Sequence, residues 1–149
     1  MITKIRALTE LHRSRRVLVG EDDDVLRVLL ARRLTRVGYL VRAAADGEQV
    51  MELMRHGELP EETLLLDVHM PKRTGMEVVQ ALRASGSRVA VVLMSAYTTD
   101  ELKAEARSLG VAAVLDKPFE STSLETALAN AETLSALALA EIMVRDRAR

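Results

Sequence analysis

The sequence predicts an α/β protein built on a parallel sheet, and three observations lead to that class. Short apolar runs alternate with helical patterns along the chain, as in successive β-α-β units. Aromatic residues are only 2% of the 149 residues, so Leu, Val, Ala and Met must fill the core. That composition suits helices on a buried parallel sheet better than a β-sandwich, whose strands favour aromatic side chains. No internal repeat or low-complexity linker is evident, so one domain is predicted.

The composition also narrows the class of function. A hydrophobic content of 48% with 29% charged residues is typical of a soluble globular protein. The net charge of −1 gives no general attraction to nucleic acid or to a membrane surface. The absence of cysteine excludes disulfides and thiolate metal sites and fits a reducing compartment. The N-terminus lacks a signal-peptide core, and the apolar stretch 134–144 is too short to span a bilayer. We therefore expect a cytoplasmic protein.

Hydrophobic periodicity places five strands and the helices between them. The strands are predicted at residues 17–19, 39–43, 63–66, 89–94 and 111–115. The first helix carries six apolar residues on one broad face, and Gly38 ends it: Val25, Leu26, Leu29, Leu30, Leu34 and Val37. Asp46-Gly47 begins the second helix, which Gly57 and Pro60 close. A last helix begins near Ser121.

Two helical segments flank the predicted domain of residues 16–130. Residues 1–15 form a basic arm, whose arginines more often face solvent than bind nucleic acid. Residues 131–149 form a C-terminal extension with six large apolar side chains: Leu134, Leu137, Leu139, Ile142, Met143 and Val144. Contact with the arm, with the domain or with a second copy of the chain would each cover this surface.

Polar residues follow four strands at the edge of the predicted sheet. Glu21 and Asp22 follow the first strand, Asp67 ends the third, Ser95 follows the fourth and Lys117 the fifth. Each has an ordinary explanation alone, such as helix capping by one of residues 22–24 or a solvated lysine. Ligands of open α/β sheets bind outside the carboxyl ends of the strands, however, and four such coincidences are improbable.

These residue types together indicate phosphoryl chemistry. Three carboxylates that face one another repel unless a hard cation neutralises them, and oxygen ligands with open water sites suit Mg²⁺. A lysine and a small hydroxyl supply a positive charge and a hydrogen bond for a phosphoryl group. Asp67 is then expected to act as a carboxylate nucleophile that forms an acyl phosphate.

Four stretches of the chain resemble the response regulator receiver family of two-component signalling. They are Val-Leu-Val-Gly-Glu-Asp-Asp-Asp at 17–24, Leu-Leu-Leu-Asp-Val-His-Met-Pro at 64–71 with Gly75, Leu-Met-Ser-Ala-Tyr at 93–97, and Leu-Asp-Lys-Pro-Phe at 115–119. The resemblance covers about residues 15–130. It implies a flavodoxin-like, doubly wound sheet of five parallel strands in the order 2-1-3-4-5.

The resemblance also implies a role for each site residue. Asp67 is the expected phosphoacceptor, Asp22 the direct metal ligand, and Glu21 a ligand through water. The backbone carbonyl of His69 is a further expected ligand of Mg²⁺. Ser95 is expected to bind the phosphoryl group and Lys117 to form a salt bridge with it. The peptide bond before Pro118 is expected to be cis.

Four positions depart from the family pattern or modulate it. Glu21 stands where the family often has aspartate, which moves the carboxylate outward by one methylene. Val114 stands where the family commonly has Tyr or Phe, so the usual aromatic relay cannot operate in its familiar form. His69 and Tyr97 flank the expected path of the attacking water, and we hypothesise that they slow loss of the phosphoryl group.

The sequence therefore predicts a receiver phosphorylated on Asp67 by a histidine kinase or a histidine phosphotransfer protein. We expect it to catalyse only its own phosphorylation and dephosphorylation, and to signal by protein contacts through the last two helices and the surface around strand five. The downstream partner is unknown, a homodimer through the C-terminal helices stays open, and no membrane or nucleic acid is expected. A non-phosphorylated pseudo-receiver and a fragment of a larger regulator or hybrid kinase are the alternatives. A Mg²⁺-dependent phosphatase is set aside because residues 68–71 offer no second carboxylate.

Overall fold

The computed structural model describes residues 15–56 and 62–148 and confirms the predicted fold class. Five parallel strands form one sheet in the order β2-β1-β3-β4-β5. The strands are β1 Arg15–Gly20, β2 Tyr39–Ala44, β3 Glu62–Asp67, β4 Ala90–Ser95 and β5 Ala113–Asp116. The helices are α1 Asp24–Arg36, α2 Gly47–Arg55, α3 Gly75–Ala84, α4 Asp100–Ser108 and α5 Ser121–Arg147.

The sheet separates two hydrophobic cores because neighbouring side chains of a strand point to opposite faces. Leu18, Leu64 and Leu66 pack with α2, α3 and α4 on one face. Val19 and Leu65 belong to the other core, with α1 and α5. The middle strand β3 is buried along its whole length, which explains its continuous apolar run. Because all five strands run in the same direction, their carboxyl ends lie at one edge of the sheet.

Four of the five helices begin with a capping side chain at that edge. Asp23 accepts a hydrogen bond from the backbone N–H of Leu26 at 2.9 Å and so caps α1. Asp46, Thr74 and Thr99 cap α2, α3 and α4 in the same manner. The capping function of the acidic cluster thus belongs to Asp23, which leaves Asp22 without this task.

The predicted apolar face of α1 is too broad. Leu30 and Leu34 are buried, whereas Val25 is 70% exposed and Leu29 is 55% exposed. Val37 is exposed as well, at the C-terminal end of the helix. The sheet contacts one narrow stripe of the helix, and residues one position away lie about 100° around its axis.

Strand β5 is shorter than the sequence predicts. Val111 donates its backbone N–H to the carbonyl of Ala106 at 3.0 Å, which closes the C-terminus of α4. Gly110 has φ of +68°, the left-handed conformation that a helix end of this kind requires. Val111 therefore belongs to the helix end, and the strand begins at Ala113.

The two flanking segments differ in how much is described. Residues 1–14 of the predicted arm, and Gly57 and Pro60 of the predicted α2 end, lie outside the described residues. Arg15 begins β1, and its guanidinium binds Glu132 of α5 at 2.9 Å and lies 4.3 Å from the centre of the Tyr39 ring. This arginine is therefore engaged within the chain.

Helix α5 contains the predicted extension as an unbroken continuation. Leu124, Leu128 and Ala131 are buried against the sheet, and the helix then continues to Arg147. By length and composition alone this 27-residue helix could span a membrane. Four side chains in its first eleven residues belong to one core of the domain: Leu124, Ala127, Leu128 and Ala131.

Candidate functional site

Three carboxylates meet at the carboxyl edge of the sheet. Glu21 follows β1 and Asp67 ends β3, and these two strands are neighbours in the sheet. Together with Asp22, each offers a carboxylate oxygen within 4.8 Å of the others. Glu21 and Asp67 are buried and Asp22 is exposed, so the cluster is open to solvent on one side.

Lys117 lies between the two buried carboxylates. Its ammonium donates to Oε2 of Glu21 at 2.7 Å and also to Oδ2 of Asp67. The backbone N–H of Lys117 donates to the carbonyl of Ser95 at 2.8 Å, which fixes the β5–α5 loop against β4. The peptide bond between Lys117 and Pro118 is cis, as expected.

Burial and charge set the protonation of this cluster. Burial raises the pKa of Glu21 to about 7, the hydrogen bond from Lys117 acts in the opposite direction, and Asp67 raises it further. Burial lowers the pKa of Lys117, but its hydrogen bonds to Asp67 and Glu21 outweigh this and raise the pKa overall. Lys117 is therefore a permanent cation at neutral pH, and Glu21 is poised between two states.

The loop after β3 fixes the orientation of the Asp67 carboxylate. The backbone N–H of His69 donates to Oδ1 of Asp67 at 2.7 Å, while the His69 side chain is exposed. The N–H of Gly75 donates to the carbonyl of Val68 at 3.0 Å, which brings α3 against the strand end. A Cβ atom at Gly75 would collide with the carbonyl oxygen of Asp67, so only glycine permits this close approach.

The remaining predicted residues lie on β4, β5 and the loop after β4. Ser95 is fully buried, directly after Met94, the register partner of Asp67. Its Oγ accepts from the backbone N–H of Tyr97 at 3.1 Å, so its own proton stays free to donate. The Tyr97 side chain is 75% exposed. Val114 is partly buried against the core on the α2–α4 face.

Sequence reasoning missed Arg27. Its guanidinium donates to the backbone carbonyl of Glu21 at 2.9 Å and to the Asp24 carboxylate at 2.5 Å. The spacing of three residues between Asp24 and Arg27 on a helix could have indicated the second contact. No sequence signal indicates the first, which holds the residue after β1 in place.

The donor set fits a hard divalent cation. All three side-chain donors are carboxylates, and when they are ionised Lys117 offsets only one of the three negative charges. Oxygen ligands with excess negative charge are those that Mg²⁺ prefers. Because Asp22 is exposed to solvent, a cation could reach the three carboxylates from that side. The backbone carbonyl of His69 stays a predicted further ligand.

These features define an α/β protein of the 2-1-3-4-5 class whose ligand site lies at the carboxyl edge of the sheet. The sequence model of the response regulator receiver domain matches residues 17–129, and the chain belongs to this family.

Named relatives agree with this assignment. The transcriptional regulatory protein PdtaR of Mycobacterium tuberculosis is 36% identical over 116 residues, which are 76% of this chain and 55% of PdtaR. The probable chemotaxis protein CheY of Rhizobium etli is 33% identical and is covered to 88% of its length, with 76% of this chain. The chain thus spans about half the length of PdtaR and most of the length of CheY.

Solved structures show the same fold. CheY4 of Vibrio cholerae superposes with a TM-score of 0.71 at 28% identity, over 78% of this chain and 98% of that one. The response regulator TrrA of Thermotoga maritima, solved in complex with Mg²⁺ and BeF, gives a TM-score of 0.68 at 25% identity over the same shares.

The raised pKa of Glu21 makes the metal-free protein sensitive to pH. A carboxyl whose pKa is higher in the folded than in the unfolded chain stabilises the fold below its unfolded pKa of 4.5, and this contribution is lost as pH rises through about 7. We therefore expect Glu21→Gln, with EDTA present, to gain melting temperature relative to the wild type as pH rises from about 5 to about 8. A thermal melt of both proteins across this range measures the difference. An equal difference at every pH would contradict the elevated pKa.

Proposed function

We propose that this chain is a phosphorylatable receiver in which Asp67 accepts a phosphoryl group from a phosphohistidine on a kinase or phosphotransfer protein. The observation that carries the proposal is the contact of one ammonium, Lys117, with the buried phosphoacceptor and with Glu21. The Lys117 ammonium places a positive charge beside Asp67, where the oxygens of an incoming phosphoryl group would bind.

The transfer step requires little more than positioning and charge. Oδ1 of Asp67 is bonded to the N–H of His69 and Oδ2 to Lys117, so the carboxylate is held still before reaction. A carboxylate oxygen forms the new bond to phosphorus while the phosphorus–nitrogen bond of the donor histidine breaks. The bonding electron pair leaves with the imidazole, which then takes up a proton.

Two other side chains would stabilise the phosphorylated state. Lys117 would exchange part of its contact with Asp67 for a phosphoryl oxygen, and the free hydroxyl proton of Ser95 would donate to another. A rotation of the Ser95 hydroxyl would bring its proton toward the phosphoryl group while the backbone stays in β4.

Glu21, Asp22, Asp67 and the carbonyl of His69 would hold Mg²⁺ in this site. When bound, Mg²⁺ supplies the positive charge that offsets repulsion between the carboxylates and an incoming phosphoryl group. The complex of the relative TrrA with Mg²⁺ and BeF supports this choice of cation.

Signal output must follow a route that does not depend on an aromatic at position 114. Val114 is partly buried against the core. A valine side chain has neither the size nor the polar end of a tyrosine that rotates inward. We propose a population shift of the β4–α4 and β5–α5 segments, triggered by movement at Ser95 and Lys117. The partner would be a downstream protein in the cytoplasm that contacts α4, β5 and α5.

Two alternatives have specific support. The pKa of Glu21 near 7 and the valine at position 114 favour a pseudo-receiver that binds partners without turnover of phosphate. The 55% coverage of PdtaR and the 16% coverage of the sensory/regulatory protein RpfC of Xanthomonas campestris leave room for a larger regulator.

Phosphorylation of Asp67 is expected with a small phosphodonor alone. Intact-protein mass spectrometry after incubation with acetyl phosphate and Mg²⁺ should show one phosphoryl group per chain. EDTA should prevent the reaction, and the Asp67→Asn variant should show no adduct because an amide is not a nucleophile here. The absence of any adduct on the wild type would favour the pseudo-receiver.

The exposed ring of Tyr97 is expected to lengthen the life of the phosphorylated state. Its bulk lies two residues after Ser95, where it would obstruct water on its way to the phosphoryl group. Tyr97→Ala should therefore lose phosphate faster, while Tyr97→Phe, which keeps the bulk, should match the wild type. Release of inorganic phosphate from the purified phosphoprotein gives both rates. An unchanged rate in the alanine variant would refute this role.

A further inference from the structure

The end of α5 is an apolar helix that no other described residue shields from solvent. Six large side chains between positions 134 and 144 are each 54–68% exposed: Leu134, Leu137, Leu139, Ile142, Met143 and Val144. Ser135 and Glu141 are the polar residues of this stretch, so apolar side chains lie on nearly every side. A helix of that kind is typical of a buried environment, and an exposed apolar patch of this extent marks a contact surface.

A groove lies beside this helix, beneath the amino ends of the strands. It has a volume of about 870 Å³. Leu134, Ala138 and Ile142 of α5 line one wall, and Val89 and Leu109 of the domain are on the opposite wall. The groove lies at the end of the sheet opposite to the carboxylate cluster, so the phosphoacceptor chemistry does not account for it.

The groove continues the face of α5 that the domain already covers. Leu124, Leu128 and Ala131 are buried against the sheet, and Leu134, Ala138 and Ile142 follow them at helical spacing on the same side. An occupant of the groove therefore lies directly below the sheet, in line with its core.

We propose that the occupant is the α5 extension of a second copy of this chain, running antiparallel, and that the two copies exchange this contact through a two-fold axis. A helix running parallel to α5 on this side would have to pass through the sheet that covers Leu124 and Leu128. An antiparallel helix enters from the open end, with Arg147 leading. The symmetric arrangement covers each extension with the other extension and with the other domain.

The apolar stretch is too short for the two extensions to form a stable pair without the groove. Residues 134–144 span about one and a half heptads, whereas a coiled coil that stands alone needs about three or four. Pairing of the two extensions alone would also leave the outer sides of both helices in water. The domain wall of the groove supplies the second surface that such a helix requires.

Charges favour the same orientation. Antiparallel pairing of residues 134–144 is centred on Leu139 and keeps Arg145 and Arg147 of one copy away from the same residues of the other. Parallel pairing would instead place Arg145 and Arg147 against their own copies. At the rim of the groove Arg88 is exposed, and none of the ion pairs between described residues includes it. Glu141 and Asp146 of the entering helix provide carboxylates for this arginine.

Sedimentation equilibrium of the full chain at micromolar concentration tests the association. We expect a dimer for the wild type and a monomer for Ile142→Glu, because a carboxylate placed between the two apolar extensions would lose its solvation on association. Ala129→Glu is the matched control, since Ala129 is exposed on the same helix but outside the groove, and it should remain a dimer. Circular dichroism establishes that each variant is folded.

A distance measurement tests the orientation. The chain has no cysteine, so Arg147→Cys accepts one spin label per copy. In the antiparallel dimer the two labels are about 24 Å apart along the helix axis, whereas parallel helices would bring them within about 10 Å.

Three results would overturn the proposal. A monomeric wild type would do so, whether residues 1–14 cover the groove or the helix instead binds phosphatidylcholine vesicles in a flotation assay. A dimer that survives Ile142→Glu would place the interface elsewhere. A label separation near 10 Å would replace the antiparallel exchange with a parallel pair.

Discussion

The contact of the Lys117 ammonium with Glu21 and Asp67 is the interaction on which the site depends. Two carboxylates buried at neighbouring strand ends would repel each other strongly in a medium of low polarity. Lys117 offsets part of this repulsion, and its raised pKa keeps it charged. When its three carboxylates are ionised, the pocket still has an excess of negative charge that favours a metal cation. The same ammonium would pair with a phosphoryl oxygen, so the group that stabilises the resting site also serves the transfer.

The rest of the fold delivers these three groups to one point. The 2-1-3-4-5 order makes β1 and β3 neighbours and brings β5 to the same edge through β4. Gly75 lets α3 approach the backbone of Asp67, and the hydrogen bond from Lys117 to Ser95 fixes the last loop. At the other end of the sheet lies an apolar groove beside the end of α5. There α5 leaves the domain with an apolar surface that no other described residue covers, and contact with a second copy would extend the core across the groove.

The sequence was sufficient for the fold class and for the edge where the site lies, because buried strands and their polar ends are local patterns. Glu21, Asp22 and Asp67 do come together, and Lys117 reaches two of them. What the sequence could not supply depends on contacts far apart in the chain. The exposed side of α1 follows from how little of a helix the sheet can touch. The contact of Arg15 with Glu132 and that of Arg27 with the Glu21 carbonyl have no sequence spacing that signals them.

A double-mutant cycle between Lys117 and Glu21 measures how much the ammonium stabilises the pair of buried carboxylates. The free energy of unfolding of the metal-free protein is measured by urea denaturation for the wild type, Lys117→Met, Glu21→Gln and the double variant. If the ammonium offsets the repulsion of the two buried carboxylates, Lys117→Met is strongly destabilising, and Glu21→Gln restores much of that loss. We predict a coupling energy of about 1–3 kcal/mol between the two positions, as for groups in direct contact. Additive effects, with a coupling energy near zero, would show that the contact between Lys117 and Glu21 does not stabilise the site.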